Sequence, residues 1–390
     1  MTGDAAMVAW LRENAPRFEA PGPRPLSPFE VVDEAEESAL VALARRWQLH
    51  KFEAGWAALS LPPSLGGRGM SRADDVMFTD EESRYHLPTH VLEVTTRMVL
   101  PTLVHWSPEK RAAIDGILRG RDLWCQLFSE PEAGSDLAAV RTRATRHDDG
   151  TWTVTGQKVW TSWAHLAQRG YLLARTGSDG HGGLTAFELD MATPGVSVRR
   201  LRQATGASTF NEVFLDEVRL PADAPIGPVG RGWAVALTTL MNERLAVGAD
   251  QIPYDDLRAE AARRGLVARP DVAARLGAIR ARRIVVEQLR QQMVRSVRRG
   301  GDPGPEGSAA KLFLAESVHE AARFARWLVG PDIVVDDRWS QLAIAWPGIK
   351  NAGGTDEVQK TVIANRILGL PKEQGERWTP TTSNTRSEQS

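Results

Sequence analysis

Hydrophobic and polar positions change their spacing twice along the chain, which divides it into three parts. Over "EVVDEAEESALVALARRWQLHKF", Val32, Ala35, Leu40, Leu43 and Trp47 recur at helical spacing, with acids early and bases late as a helix dipole favours. The Pro/Gly loop "LPPSLGGRGMS" interrupts this pattern, and Ser71 stands where it can cap a helix beginning "RADDVMFTDEES". From about Leu123 to Leu220 the chain reads as strands with turns. "TWTVTGQKVWTS" alternates around Gly156, "GYLLART" and "LTAFELDM" are short apolar strands, and "FNEVFLDEVRLP" alternates at Val213 and Leu215 between Phe210 and Val218. From Gly230 helical spacing returns in "GWAVALTTLMNERLAVGA", "DVAARLGAIRARRIVVEQLRQQMVRSV" and "SAAKLFLAESVHEAARFARWLVG", with "RRGGDPGPEGS" as a flexible connector between the last two. Near the C-terminus, "KNAGGTDEVQKTVIANRILGLPKE" joins a Gly-Gly-Thr turn to an apolar helix that stops at Gly369, with Pro371 just beyond.

Helices, then strands, then helices is segregated order, which predicts an α+β protein rather than a doubly wound sheet. The predicted units are helical over 1–121, β over 122–225 and helical over 226–373, with a polar tail over 374–390. A length of 390 residues is too great for one small core.

Composition narrows the function classes. With 42% hydrophobic residues, 25% charged residues and a net charge of −1, the chain offers no electrostatic case for nucleic acid or an anionic membrane. No apolar run reaches the length of a membrane span, and "MTGDAAMVAWLREN" carries acids where a secretion signal needs bases. A cytoplasmic location is therefore expected. Cys125 is the single cysteine, so no internal disulfide is possible, and it reads as a small buried hydrophobe. No metal site is expected.

Two loops of the middle unit suggest chemistry. "FSEPEAGSD" places Gly134 and Ser135 after Pro131 in a tight turn whose amides and hydroxyl can approach a ligand. "GQKVWTSWA" sets an indole beside two hydroxyls at a strand end, which suits either the wall of a planar cofactor or a sheet core. Near the C-terminus, the amides after Gly353-Gly354-Thr355 can hold a phosphate, while Asp356 and Glu357 suit a first helical turn.

Taken in order, "FSEPEAGSD", "GQKVWTS", "FNEVFLDEVRLP", "MNER" and "GGTDEVQKTVIANRILGLP" resemble the motifs of the acyl-CoA dehydrogenase family over nearly the whole chain. The resemblance implies an N-terminal helical domain, a central antiparallel β domain and a C-terminal four-helix bundle. It implies FAD as cofactor and an acyl-CoA, or an acyl-carrier thioester, as substrate. The α hydrogen leaves as a proton and the β hydrogen as hydride, giving the trans-2-enoyl thioester. Electron-transfer flavoprotein is the implied acceptor, and the implied assembly is a homodimer, a homotetramer or a heterotetramer with a related subunit. Carried over by position, Phe128, Ser129 and Ser135 border the flavin and the thioester, Trp160 covers a flavin face, and Ser162 faces its N5 edge. Thr355 and Glu357 meet the phosphate–ribityl region, and Gly353 and Gly354 lend backbone and space beside the substrate.

Many family members carry the catalytic glutamate just before the Gly-Thr of that loop, where this chain has Gly353. A second subgroup, resembling isovaleryl and long-chain enzymes, carries it in a Glu-Arg pair on an earlier helix, matched here by Glu243-Arg244. On a helix Glu243 shares its face with Ala236, Leu240 and Val247, and no base stands four residues away to pair with it. A carboxylate so placed is expected to have a raised pKa and to act as the base, with Arg244 beside the thioester. Two cofactor motifs depart from the family. Arg264 and Pro270 persist, but Val267 and Ala268 replace Phe-Gly, and only Gly330 remains of a later double-glycine loop. Such departures resemble actinobacterial members that share one FAD between unlike subunits. The alternatives are therefore a subunit of a heteromeric enzyme, and an acyl-CoA oxidase or flavin monooxygenase on the same fold. Acyl length and branching are left open, steroid side chains included.

Overall fold

The computed structural model describes residues 3–22, 24–26, 33–177, 180–243, 251–299, 304–334 and 338–371. Its N-terminal part contains α1 (Gly3–Asn14), α2 (Glu34–Glu53), α3 (Arg72–Glu82), α4 (Leu100–Trp106) and α5 (Arg111–Leu118). Asp33 starts α2 by accepting from the Glu36 amide at 2.8 Å, while Glu36 accepts from the Asp33 amide at 3.1 Å. Ser71 caps α3 as expected, its amide and hydroxyl both donating to Asp74.

The inward face of α2 differs from the apolar stripe read in the sequence. Glu37, Val41, Ala44, Trp47, Gln48 and Lys51 are buried, Leu40 and Leu43 are half-buried, Ala35 is exposed, and Val32 lies outside the described residues. The cause is that the two charged members find partners of opposite charge, buried Glu82 and half-buried Arg200. Lys51 Nζ lies 2.8 Å from Glu82, and Glu37 lies 2.6 Å from Arg200. Trp10 stacks on Trp47 (5.4 Å between centroids) and Trp56 on Phe78 (5.7 Å), which places several of the chain's 13 tryptophans in this helical layer.

The strands are β1 (Trp124–Leu127), β2 (Arg143–Arg146), β3 (Trp152–Ser162), β4 (Arg169–Arg175), β5 (Leu184–Asp190), β6 (Val196–Leu201), β7 (Phe210–Leu220) and β8 (Pro225–Ile226). They form one eight-stranded sheet in the order β6-β7-β3-β2-β4-β5-β8, with β1 also paired to β4. This corrects the expectation of an antiparallel domain, because β1 and β2 both run parallel to β4 and the sheet is mixed. The reason is local. β1 and β2 lie along the same edge of β4, opposite Arg169–Leu172 and Arg175 respectively, and the "FSEPEAGSD" loop is an excursion between them.

Gly156 is required by close approach. A Cβ there would lie 2.4 Å from Thr142 Oγ1 and 2.7 Å from Thr142 Cα. We expect Gly156→Ala to destabilise the protein by roughly 1–3 kcal/mol through overpacking. The change should appear as a lower urea midpoint with an unchanged slope, and an unshifted midpoint would refute it.

The C-terminal helices are α6 (Gly232–Glu243), α7 (Tyr254–Arg263), α8 (Pro270–Arg298), α9 (Glu306–Val329), α10 (Arg338–Asn351) and α11 (Asp356–Val362). Residues of α7, α8, α9 and α10 share one apolar core, which includes Leu257, Val272, Val286, Leu314, Phe324 and Leu342. α6 packs elsewhere. Its Val235 and Ala236 join the core formed by the N-terminal helices and the sheet, against α4 and β5. After α11 a π turn covers Ile363–Ile367, and Gly369 at φ +65° ends the helical path where the sequence places its stop. Among the described residues, no helix is long and apolar enough to cross a membrane.

Candidate functional site

The loop after β1 is held by a buried charge pair. Glu130 accepts from the amides of Arg141 (2.6 Å) and Thr142 (2.8 Å), which tie together the two ends of the excursion. It also accepts from Lys158 Nζ at 2.8 Å, and the same ammonium donates to the Phe128 carbonyl at 3.0 Å. Lys158 is fully buried on β3. Burial pushes its pKa down to about 8, although Glu130 pulls the other way. Burial also acts to raise the Glu130 pKa, but Lys158 and the hydrogen bonds outweigh it and hold that carboxyl below its usual range.

This clamp aligns two of the predicted motifs. The Val159 amide donates to the Ser129 carbonyl at 2.9 Å, so Phe128 and Ser129 lie alongside the Trp160–Ser162 segment. The pairing of β3 with β7 shifts register between Lys158 and Thr161, and within that bulge Trp160 takes φ +59°. The bulge turns the indole outward, 59% exposed and edge-on to Phe210 at 6.0 Å. Ser162 is half-buried, and the buried Thr161 hydroxyl makes no hydrogen bond. An exposed indole face on a rigid sheet fits a flat heteroaromatic group. Ser135 is exposed on the excursion, and nothing lies within 4 Å of where a Gly134 Cβ would be.

A chain of buried contacts joins this loop to α6. The Phe128 ring meets Tyr171 edge-on at 4.9 Å, and the Tyr171 hydroxyl accepts from Thr239 Oγ1 at 3.1 Å. Thr239 Oγ1 lies 2.8 Å from Thr102 Oγ1, and Trp106 Nε1 donates to Thr238 at 3.0 Å. The rotation of α6 about its axis is thereby set against β4 and α4. Glu243 is the last residue of that helix, one turn beyond Thr239. The side chain of Glu243 and the whole of Arg244 lie outside the described residues.

Beside α6 lies a cavity of about 780 Å³, within the usual size range of ligand sites. Thr238, Met241 and Asn242 of α6 line it, facing α2, α3 and the segment that leads into α4. Trp47, Trp56, Phe78 and Leu100 supply apolar wall, while Lys51, Arg72, Asp75, Asp80, Glu82 and Arg97 supply charge. Burial raises the pKa values of Asp75 and Asp80, against hydrogen bonds from Ser60 and Arg290 respectively.

The remaining predicted residues form a separate group on the C-terminal helices. Gly353 (φ +66°) and Gly354 (φ +90°) make the turn into α11, and Gln359 Nε2 donates to both of their carbonyls, at 2.9 and 3.3 Å. Thr355 caps α11 by accepting from Val358 N at 3.3 Å, and Glu357 is exposed. Asp356 does more than favour a helix start. It is buried, with Lys350 at 3.1 Å and Lys311 at 3.8 Å. Arg264 ends α7 and spends its guanidinium within the chain, on Glu260 (2.6 Å), the Val329 carbonyl (3.2 Å) and Asp332 (2.9 Å). None of the described hydrogen bonds or ion pairs of Arg264, Gly353, Gly354, Thr355 or Glu357 reaches the sheet.

The sequence reading missed Glu130, Lys158, Tyr171 and Thr239. The signal was present in part. A lysine at an inward position of β3, and two adjacent threonines on an otherwise apolar helix, each demand a buried partner. Cys125 is buried as expected, 3.8 Å from Met191 Sδ, and burial raises its thiol pKa to about 12. Among the described residues, no cluster of His, Cys, Asp and Glu could hold a metal ion.

Comparison with known proteins follows this geometry. Residues 125–218 match the family model for the acyl-CoA dehydrogenase middle domain, and 230–368 match that for the C-terminal domain. FadE34 of Mycobacterium tuberculosis, an acyl-CoA dehydrogenase, is 37% identical over 88% of this chain, and the chain spans only 47% of that protein's length. IpdE1 of the same organism, also an acyl-CoA dehydrogenase, is 36% identical over 84% of this chain and 88% of its own length. Among solved structures, a chain of the ChsE4–ChsE5 complex from Mycobacterium tuberculosis superposes with a TM-score of 0.78 at 26% identity, covering 95% of this chain and 98% of that one.

Proposed function

The chain belongs to the acyl-CoA dehydrogenase family, whose members are FAD flavoproteins, and from that premise we propose that it oxidises an acyl-CoA thioester to its trans-2-enoyl product. One observation carries this reading: the helix that ends at Glu243 lines a cavity of about 780 Å³, and the Phe128–Tyr171–Thr239 contacts tie that helix to the Trp160 wall.

In this reading the acyl group fills the cavity beside α6, and its thioester end points toward the "FSEPEAGSD" loop. Glu243 takes the α proton, with Arg244 beside it. A carboxylate in water is too weak a base for that proton, so displacement of water by the apolar wall and donors to the thioester oxygen are both required. Gly353 and Gly354, assigned to backbone and space beside the substrate, carry no acid and do not line this cavity. Bound FAD would supply the hydride acceptor for the β hydrogen. Phe128, Ser129, Ser135 and Ser162 would border it, and the exposed Trp160 indole would hold its ring.

Arg264, Thr355 and Glu357 are assigned to the phosphate end of the cofactor. Their separation from the sheet residues favours a site shared between two chains. The likeness to a chain of a two-protein complex supports a related but unlike partner as the second chain. Electron-transfer flavoprotein is the proposed acceptor.

The test is an anaerobic titration of the purified flavoprotein with a panel of acyl-CoAs. Bleaching of the oxidised flavin band by one acyl class, with enoyl-CoA as product, is the expected result. A flavin unchanged by every thioester, in the lone chain and in co-expressed pairs alike, would remove the reading.

A further inference from the structure

The charges that line the cavity do not suit a plain hydrocarbon chain, and all but one are hydrogen-bonded within the protein. Lys51 pairs with Glu82, which also accepts from Trp47 Nε1 at 2.6 Å. Asp75 accepts from the Leu59 and Ser60 amides at 2.7 and 3.3 Å. Asp80 accepts from Arg290, and Arg72 donates to Asn242. Arg97 differs. Among the described residues its guanidinium makes no hydrogen bond, and its ion pair is with Glu93 at 3.5 Å, both partners being about one-third exposed.

The local backbone around Arg97 is also unusual. Val94–Val99 is a π turn leading into α4, a form that recurs at functional sites because the extra residue redirects side chains. The neighbours on that turn, Thr95, Met98 and Val99, are buried, while Arg97 is half-buried and lines the cavity. A guanidinium carries five donors in a planar fork matched to oxygen acceptors, and Asp80 is the carboxylate that shares this part of the wall with it.

We propose that Arg97 is a specificity-determining residue that receives an oxygen function, a carboxylate or a ring ketone, carried by a bulky acyl group at a distance from its thioester. The inference rests on the cavity being the acyl site. A cavity of about 780 Å³ has room for a fused-ring acyl group. A saturated chain would leave the guanidinium desolvated, with its 3.5 Å ion pair to Glu93 but no hydrogen bond.

The experiment measures binding by calorimetry to the full-length flavoprotein. The ligands are three CoA thioesters of one fused-ring acid: one with a ring ketone, one with a ring carboxylate and one unsubstituted. We expect an oxygenated thioester to bind roughly tenfold or more tightly than the unsubstituted one, as a charge-assisted hydrogen bond requires. Arg97→Met should erase that preference, and retention of the bound-flavin absorbance spectrum and of the circular dichroism spectrum shows that the variant is folded. Arg97→Lys, which keeps the charge but loses the fork, should retain preference for a carboxylate and lose it for a ketone, identifying the source of the oxygen. Equal binding of all three thioesters to the unaltered protein, or a preference that survives Arg97→Met, would overturn the proposal. Flavin absorbance in the same titrations separates the two readings. Preference without bleaching removes the dehydrogenation but leaves the role of Arg97, and bleaching without preference does the reverse.

Discussion

Glu243→Gln is expected to retain FAD and to lose substrate-dependent flavin reduction by about 10²–10⁴-fold, the usual contribution of a positioned general base. The amide is nearly isosteric, so the helix that ends at position 243 and the cavity lined by Thr238, Met241 and Asn242 should be undisturbed. Acyl-CoA affinity should therefore change little while the rate of bleaching falls, the pattern of an interaction made only in the transition state. Stopped-flow reduction under anaerobic conditions separates the two quantities. Reduction at an unaltered rate would take Glu243 out of the mechanism, and the companion change Gly353→Glu then asks whether the alternative position can host a base. Gly353 has φ +66°, so a glutamate there must also bear a strained backbone, and only weak rescue is expected.

Lys158→Met is expected to be the most destabilising single change in the middle domain, by about 3–5 kcal/mol, because it leaves Glu130 charged and buried without its cation. The Arg141 and Thr142 amides remain as partners but bring no positive charge. Adding Glu130→Gln to the same chain should recover part of the loss, since no uncompensated charge is then buried, and a double-mutant cycle from denaturant midpoints measures the coupling. If Lys158→Met melts with the unaltered protein, the clamp is not a structural element. The pH dependence has a definite sign. Glu130 has a depressed pKa in the folded state, so its stabilisation is fully present above the unfolded value of about 4.5 and is lost as pH falls through the lower folded value. Function should follow stability here, because the same ammonium holds the Phe128 carbonyl and so aligns the loop with Trp160.

How far the site could be read in advance varies with the kind of signal. The Gly353-Gly354 turn was legible because a double glycine before a helix suits positive φ, whereas the sequence left Trp160 open between a cofactor wall and a sheet core and only the β-bulge exposes it. The inward face of α2 was misread for a different reason. Periodicity counts apolar residues, whereas Glu37 and Lys51 are buried only because Arg200 and Glu82 meet them from distant parts of the chain. The mixed sheet was missed on similar grounds, since strand patterns carry hydrophobic alternation but not the direction of a neighbour.

By itself, then, the sequence determined the α+β order of helices, strands and helices, the ordered motifs of the family and the absence of a carboxylate at Gly353, because each is written in local spacing or residue identity. Tertiary structure decided the Glu130–Lys158 clamp, the Phe128–Tyr171–Thr239 chain that orients α6, and the exposure of Arg97 to a large cavity. Each of these depends on residues 28 to 68 positions apart, or more, meeting in a low-dielectric interior, where an unpaired polar group is costly and its partner is chosen by the fold.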